Sequence, residues 1–234
     1  MAETVSNDGR TTNRHGSFRM NGVRIGIVAS LLLCVWLVWP KGEGNTPPRP
    51  LLIKSALKDA KDPIIVLGDS IVRQTQLPRT LCKRPLVNAG IDGSTTSSGL
   101  DGMLKKALGD KKAALIVVSL GINDAENKDT VDAYRKNYAA LLTALKTMSP
   151  RLTVTAITAL EPGKPEVGNR TQQRVDDYNA ALPDIARDAG ASIIAMPAMP
   201  AGFTSDGVHL SAAGTAIWTK AISDGVTATL CPNG

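Results

Sequence analysis

Ile64-Ile65-Val66-Leu67-Gly68-Asp69-Ser70-Ile71, IIVLGDSI, runs four aliphatic residues straight into a glycine, an aspartate and a serine. A short apolar run that ends on a turn signal reads as a strand buried on both faces, the signature of a parallel sheet. What such a strand delivers at its carboxyl end is a small hydroxyl.

Working outward, apolar runs and amphipathic stretches alternate from residue 62 onward. Strands are expected at 64–67, 86–89, 114–120, 152–159 and 191–196, and helices near 97–108, 129–148, 171–189 and 211–226. Ser211 is placed to cap the last helix. The segment 71–82 shows no clear pattern, yet a parallel crossover needs a helix there. Strand and helix alternating through five strands imply an α/β fold with a parallel sheet covered on both faces.

In such sheets ligands bind beyond the carboxyl ends of the strands. Gly68-Asp69-Ser70 follows the first strand, Gly90-Ile91-Asp92-Gly93 the second and Gly121-Ile122-Asn123-Asp124 the third. A longer loop after the fifth reaches Asp206-Gly207-Val208-His209. The chain has two histidines, and His15 lies beyond an apolar segment, so His209 is the candidate general base. Asp206, three residues earlier, can orient its ring, and Ser70 is the serine the architecture offers as nucleophile. An oxyanion would find donors in the Ser70 N–H, a glycine N–H of the second loop (Gly90 or Gly93) and the Asn123 amide. Each feature alone has a plain structural use, Ser70 as a helix cap and Asn123-Asp124 as a turn; their joint order is what those uses leave unexplained.

IVLGDS, NAGIDGSTT, SLGIND and DGVH together resemble the four signature blocks of the SGNH (GDSL) hydrolases, in that family's order over residues 62 to about 226. The resemblance implies a three-layer α/β/α sandwich, flavodoxin-like, with a five-stranded parallel sheet and neither metal nor cofactor. By resemblance Ser70 is nucleophile and first oxyanion donor, Asn123 the amide donor, His209 the base and Asp206 its orienting carboxylate. The family pattern favours Gly93 over Gly90. Asp69 then organises the turn. No G-x-S-x-G elbow, phosphate-binding loop or zinc-ligand set competes with this reading.

Composition bounds the rest. The 234 residues are 43% hydrophobic, enough for one globular domain and an appendage. The net charge of +6 is scattered, without an aromatic-studded basic run, and argues against a nucleic-acid partner. Residues 1–24 carry four arginines, and residues 25–40 (IGIVASLLLCVWLVWP) carry no charge. That pattern is expected to form a transmembrane signal anchor behind a cytoplasmic tail, on the inner membrane, with residues 41–61 as linker and lead-in and 62–234 as the hydrolase domain on the periplasmic or extracellular side. Cleavage and secretion is the alternative.

Outside the apolar run two cysteines remain, Cys82 and Cys231, an even pair that in an oxidising compartment suggests a disulfide. In a flavodoxin-like order the last helix ends where the second strand begins, which would bring these two together. Tyr134 and Tyr138, four apart on a helix, are expected to face the core, and Phe203 either lines the pocket or anchors its loop. The expected substrate is an acyl ester, most simply an acetyl ester on an envelope glycan. A lysolipid or thioester hydrolase, an O-acyltransferase and a non-catalytic envelope binding module are the alternatives.

Overall fold

The computed structural model describes residues 48–126 and 129–232. The tail, the apolar run and the linker through residue 47 lie outside the described residues. Among the described residues no helix is long and apolar enough to cross a membrane.

Strand β1 (Ile64–Gly68) is buried along its whole length, with strand β3 (Arg84–Gly90) parallel on one side and β4 (Leu115–Ser119) parallel on the other. Strands β5 (Leu152–Thr155) and β6 (Ser192–Ile194) extend the parallel sheet beyond β4. The connections therefore leave β1 in opposite directions, and Ser70 stands at the switch point where the loops diverge and a crevice opens.

The five expected parallel strands are present, but the sheet has six, in the order β2-β3-β1-β4-β5-β6. The addition is β2 (Thr80–Leu81), antiparallel to the start of β3. Its tight turn places Cys82 at φ 49° and Lys83 at φ 58°, left-handed values that hairpins usually assign to Asn and Gly. The obscure segment 71–82 thus resolves into one short helix, α2 (Ser70–Gln74), and half of a hairpin.

The lead-in, expected as linker over 41–61, is helical from residue 49. Residues Arg49–Lys58 form helix α1, which buries Ile53 and Leu57 in the core. Arg49 donates to Gly90 O (3.0 Å), Asn88 O (2.8 Å) and Asn88 Oδ1 (2.8 Å), so the domain begins before residue 62.

Helices α3 (Leu100–Leu108), α5 (Val131–Lys146) and α6 (Gln172–Ala189) follow β3, β4 and β5, with the short α4 (Ile122–Glu126) between β4 and α5. α1 packs on α3, α3 on α5 and α5 on α6, while α7 (Ala212–Leu230) packs on β4 and β6. Ser211 caps α7, its hydroxyl accepting from the Gly214 N–H. β5 is shorter than expected because Asn179 of α6 takes over its ladder, accepting from Ile157 N (2.8 Å) and donating to Ile157 O (3.0 Å). Tyr134, Tyr138 and Tyr178 are fully buried and stacked, the Tyr134 and Tyr178 ring centres 4.1 Å apart.

Cys82, in the β2–β3 turn, is bonded to Cys231, which follows α7; their Cα atoms are 5.9 Å apart across a sequence separation of 149. The pair sits at the amino-terminal end of β3, the rim opposite Ser70.

Candidate active site

Ser70 is the first residue of α2, so its N–H has no partner within the helix. Asp69 caps that helix, its Oδ1 accepting from Ile71 N at 2.9 Å. The Asp69 carboxyl is almost fully buried, and burial pushes its pKa up to about 7 against the pull of the Ile71 N–H. It organises the turn, as expected. A Cβ on Gly90 would strike the backbone of Arg73, so only glycine lets the end of β3 lie this close to α2.

The Ser70 hydroxyl lies 2.9 Å from His209 Nε2, and His209 Nδ1 lies 2.7 Å from Asp206 Oδ2. Asp206 Oδ1 accepts the backbone N–H groups of Val208 (3.0 Å) and His209 (2.8 Å). Burial alone would raise the Asp206 pKa, but these N–H groups and the imidazole outweigh it and hold the carboxyl below its ordinary value. An ionised Asp206 accepts a hydrogen bond from Nδ1–H and so keeps the proton on that nitrogen, which leaves Nε2 with a lone pair toward the Ser70 hydroxyl. This chain of groups can draw a proton from a serine as the serine attacks an electrophile.

Asn123 sits on α4 beside Ser70. Its Nδ2 donates to Ser94 O at 3.0 Å, which ties the loop after β4 to the loop after β3. The next residue reinforces the tie, since buried Asp124 accepts from Thr96 N (3.1 Å) and from the Thr96 hydroxyl. Burial raises the Asp124 pKa. Of the two candidate glycines, Gly90 has its N–H committed to Asn88 Oδ1 at 3.0 Å, whereas Gly93, at φ 68°, lies on the wall of the Ser70 cavity. That cavity, about 310 Å³, is lined by Ser70, Arg73, Gln74, Asp92, Gly93, Asn123, Glu166, Arg170, Val208 and His209. Arg73 and Asp92 form an ion pair at its mouth. Phe203 is buried and its carbonyl accepts from Ser211 N at 2.8 Å, so it anchors the loop rather than lining the cavity.

Two residues that brace the site carry no signal in the sequence. Glu161, after β5, accepts from Gly202 N (2.6 Å), Thr204 N (2.7 Å) and Lys164 Nζ (2.8 Å), bracing the loop that carries Asp206 and His209. Arg170, just before α6, donates to Asn123 Oδ1 at 3.0 Å. Both act through long-range bonds from irregular segments, where no periodicity marks a residue.

Similar folds are known. A Streptococcus pneumonia protein, described provisionally as a platelet activating factor, superposes with a TM-score of 0.64 at 20% identity, covering 86% of this chain and 99% of that one. A lipase/acylhydrolase from Enterococcus faecalis gives 0.58 at 20% identity, covering 74% and 98%. An acetyl xylan esterase variant from Geobacillus stearothermophilus gives 0.56 at 17% identity, covering 71% and 95%. At these identities the likeness is one of fold. No curated protein matches the sequence. The model of the GDSL-like lipase/acylhydrolase family matches residues 66–217, a span that takes in Ser70, Gly93, Asn123, Asp206 and His209, and the chain belongs to that family.

Proposed function

We propose that the protein hydrolyses short acyl esters, most simply acetyl esters, of polar alcohols such as glycan hydroxyls, with Ser70 as nucleophile, His209 as general base and Asp206 as its orienting carboxylate. As Ser70 Oγ bonds to the carbonyl carbon, its proton passes to His209 Nε2. The carbonyl oxygen becomes an oxyanion held by the Ser70 and Gly93 N–H groups and the Asn123 amide. Collapse expels the alcohol, which takes the proton from His209. Water, deprotonated by the same histidine, then releases the acid and restores Ser70.

The observation that carries this reading is the pairing of the Ser70–His209–Asp206 chain with a cavity of about 310 Å³ in which, among the lining residues, Val208 alone is hydrophobic. Each methylene of an acyl chain gains about 0.8 kcal/mol only if apolar wall removes it from water. This wall offers hydrogen bonds instead, which suits a short acyl group on a hydroxyl-rich alcohol. The acetyl xylan esterase among the fold neighbours acts on an ester of that kind. The apolar run 25–40 is the proposed anchor, holding the domain on the outer side of the inner membrane.

The test compares wild type and Ser70→Ala on p-nitrophenyl esters from acetate to decanoate, followed by acetate release from acetylated polysaccharide. Wild type should prefer acetate, and the variant should lose about 10³-fold or more of the rate. A preference for decanoate would transfer the assignment to lipid esters. A folded wild type as inert as its variant would leave a binding module.

A further inference from the structure

Arg170 stands on the cavity wall and bonds one residue assigned to the oxyanion, Asn123. Its Nε donates to Ile122 O at 2.9 Å and its Nη2 to Asn123 Oδ1 at 3.0 Å; Nη1 donates to Glu166 O at 2.7 Å and pairs with Glu126 Oε2 at 2.9 Å. The side chain is 12% exposed. All of these partners lie on the α4 turn or on the loop after β5, so the guanidinium is a rigid fork clamped between the two.

The bond to Asn123 Oδ1 distinguishes this from an ordinary loop clip. An Asn amide can turn over, exchanging its oxygen for its NH2. Turned over at this position, it would set NH2 against guanidinium N–H, donor facing donor, and would lose the bond to Ser94 O. Arg170 and Ser94 therefore read the amide from its two ends and admit one orientation. In that orientation Ser94 O takes one of the two Nδ2 hydrogens, at 3.0 Å, and the other is left for a ligand in the cavity shared with Ser70. A cation on the amide oxygen also draws charge from the nitrogen, which strengthens the remaining N–H as a donor to an anion.

We infer that Arg170 is the positioning residue of the oxyanion site: it fixes and polarises the Asn123 amide. The inference rests on the hydrolase reading above, in which Asn123 meets the oxyanion. Glu126 Oε2 pairs with the guanidinium at Nη1, while Nε and Nη2 are taken by Ile122 O and Asn123 Oδ1, so each of its nitrogens is held by the protein.

The test uses the full chain and the variants Arg170→Gln, Arg170→Lys, Asn123→Ala and the Arg170→Gln/Asn123→Ala double. With p-nitrophenyl acetate, Arg170→Gln should lower kcat roughly 10- to 100-fold, less than removal of a whole oxyanion donor, with KM within about 2-fold of wild type. Arg170→Lys, which keeps the charge but not the fork, should recover part of that loss. Because Arg170 acts through Asn123, the double variant should be no slower than Asn123→Ala alone. Additive losses, or an effect on KM alone, would overturn the inference while leaving the hydrolase reading intact. A readout independent of turnover is the Asn123 side-chain amide in a 15N NMR spectrum, identified by its absence in Asn123→Ala. Wild type should show two dispersed signals, the one bonded to Ser94 O protected from exchange, that collapse toward the free-amide position in Arg170→Gln. If they do not move, the inference fails whether or not the protein cleaves esters.

Discussion

Asp206 grips His209 twice: Oδ1 accepts the histidine's backbone N–H at 2.8 Å and Oδ2 meets its ring Nδ1 at 2.7 Å. One carboxylate thus sets both where the histidine begins and how its ring faces. Asp206→Asn keeps an acceptor for the backbone but can offer the ring an NH2, which favours the wrong tautomer. Its kcat should fall by roughly 10²- to 10⁴-fold with little change in thermal midpoint. A loss of less than about 3-fold would remove Asp206 from the relay.

Glu161 should matter at a distance. Lys164, first, and then Thr204 hold its carboxyl down to about 2, so it remains ionised throughout the working range and keeps bracing the 202–204 backbone. Glu161→Gln exchanges one acceptor for a donor facing N–H groups. The Gly202 and Thr204 amides should exchange with solvent faster, and kcat should drop about 10-fold through looser placement of His209. Unchanged exchange at both amides would show that the loop is held elsewhere.

The buried Asp69 gives stability a pH dependence of unusual sign. Unfolded, it releases its proton near 3.8; folded, near 7, because burial penalises the charge. The folded state therefore binds the proton more tightly, and this stabilising contribution, complete below the unfolded value, is lost as pH rises from about 4 to about 7. Asp69→Asn keeps the Oδ1 acceptor for Ile71 and cannot ionise. Its thermal midpoint should lack that decline and exceed wild type by a few degrees near pH 8. Parallel curves for the two proteins would refute the assignment.

The Cys82–Cys231 bond closes 149 residues of chain and in the entropy model contributes up to about 4 to 5 kcal/mol. Alkylation and mass mapping should find both thiols unreactive until reduction. Cys82→Ser/Cys231→Ser should melt several degrees lower yet keep kcat within about 2-fold at 25 °C, since the bond is at the rim away from Ser70. Free thiols in the native protein would contradict the pairing.

What could be read in the sequence follows from where each residue acts. Ser70, Asn123 and His209 lie beyond the carboxyl ends of strands that the apolar runs mark, so placing the strands places the residues. Asp206 lies within the same local turn as His209. β2 escaped because its turn uses Cys82 and Lys83 in conformations that ordinarily advertise themselves as Asn-Gly. α1 escaped because it follows a proline-rich stretch and buries two residues of ten, Ile53 and Leu57. Glu161 and Arg170 escaped because each works by reaching across 40 or more residues to a partner, Gly202 for one and Asn123 for the other. Such bonds leave no local imprint.

The disulfide and the serine occupy opposite ends of one sheet, with buried strands between them. Changes at the two ends should therefore add rather than interfere. An engineer, or natural drift, can reshape which ester fits beside Ser70 without touching the covalent ring that sets heat tolerance, and can harden or loosen that ring without altering which ester is chosen.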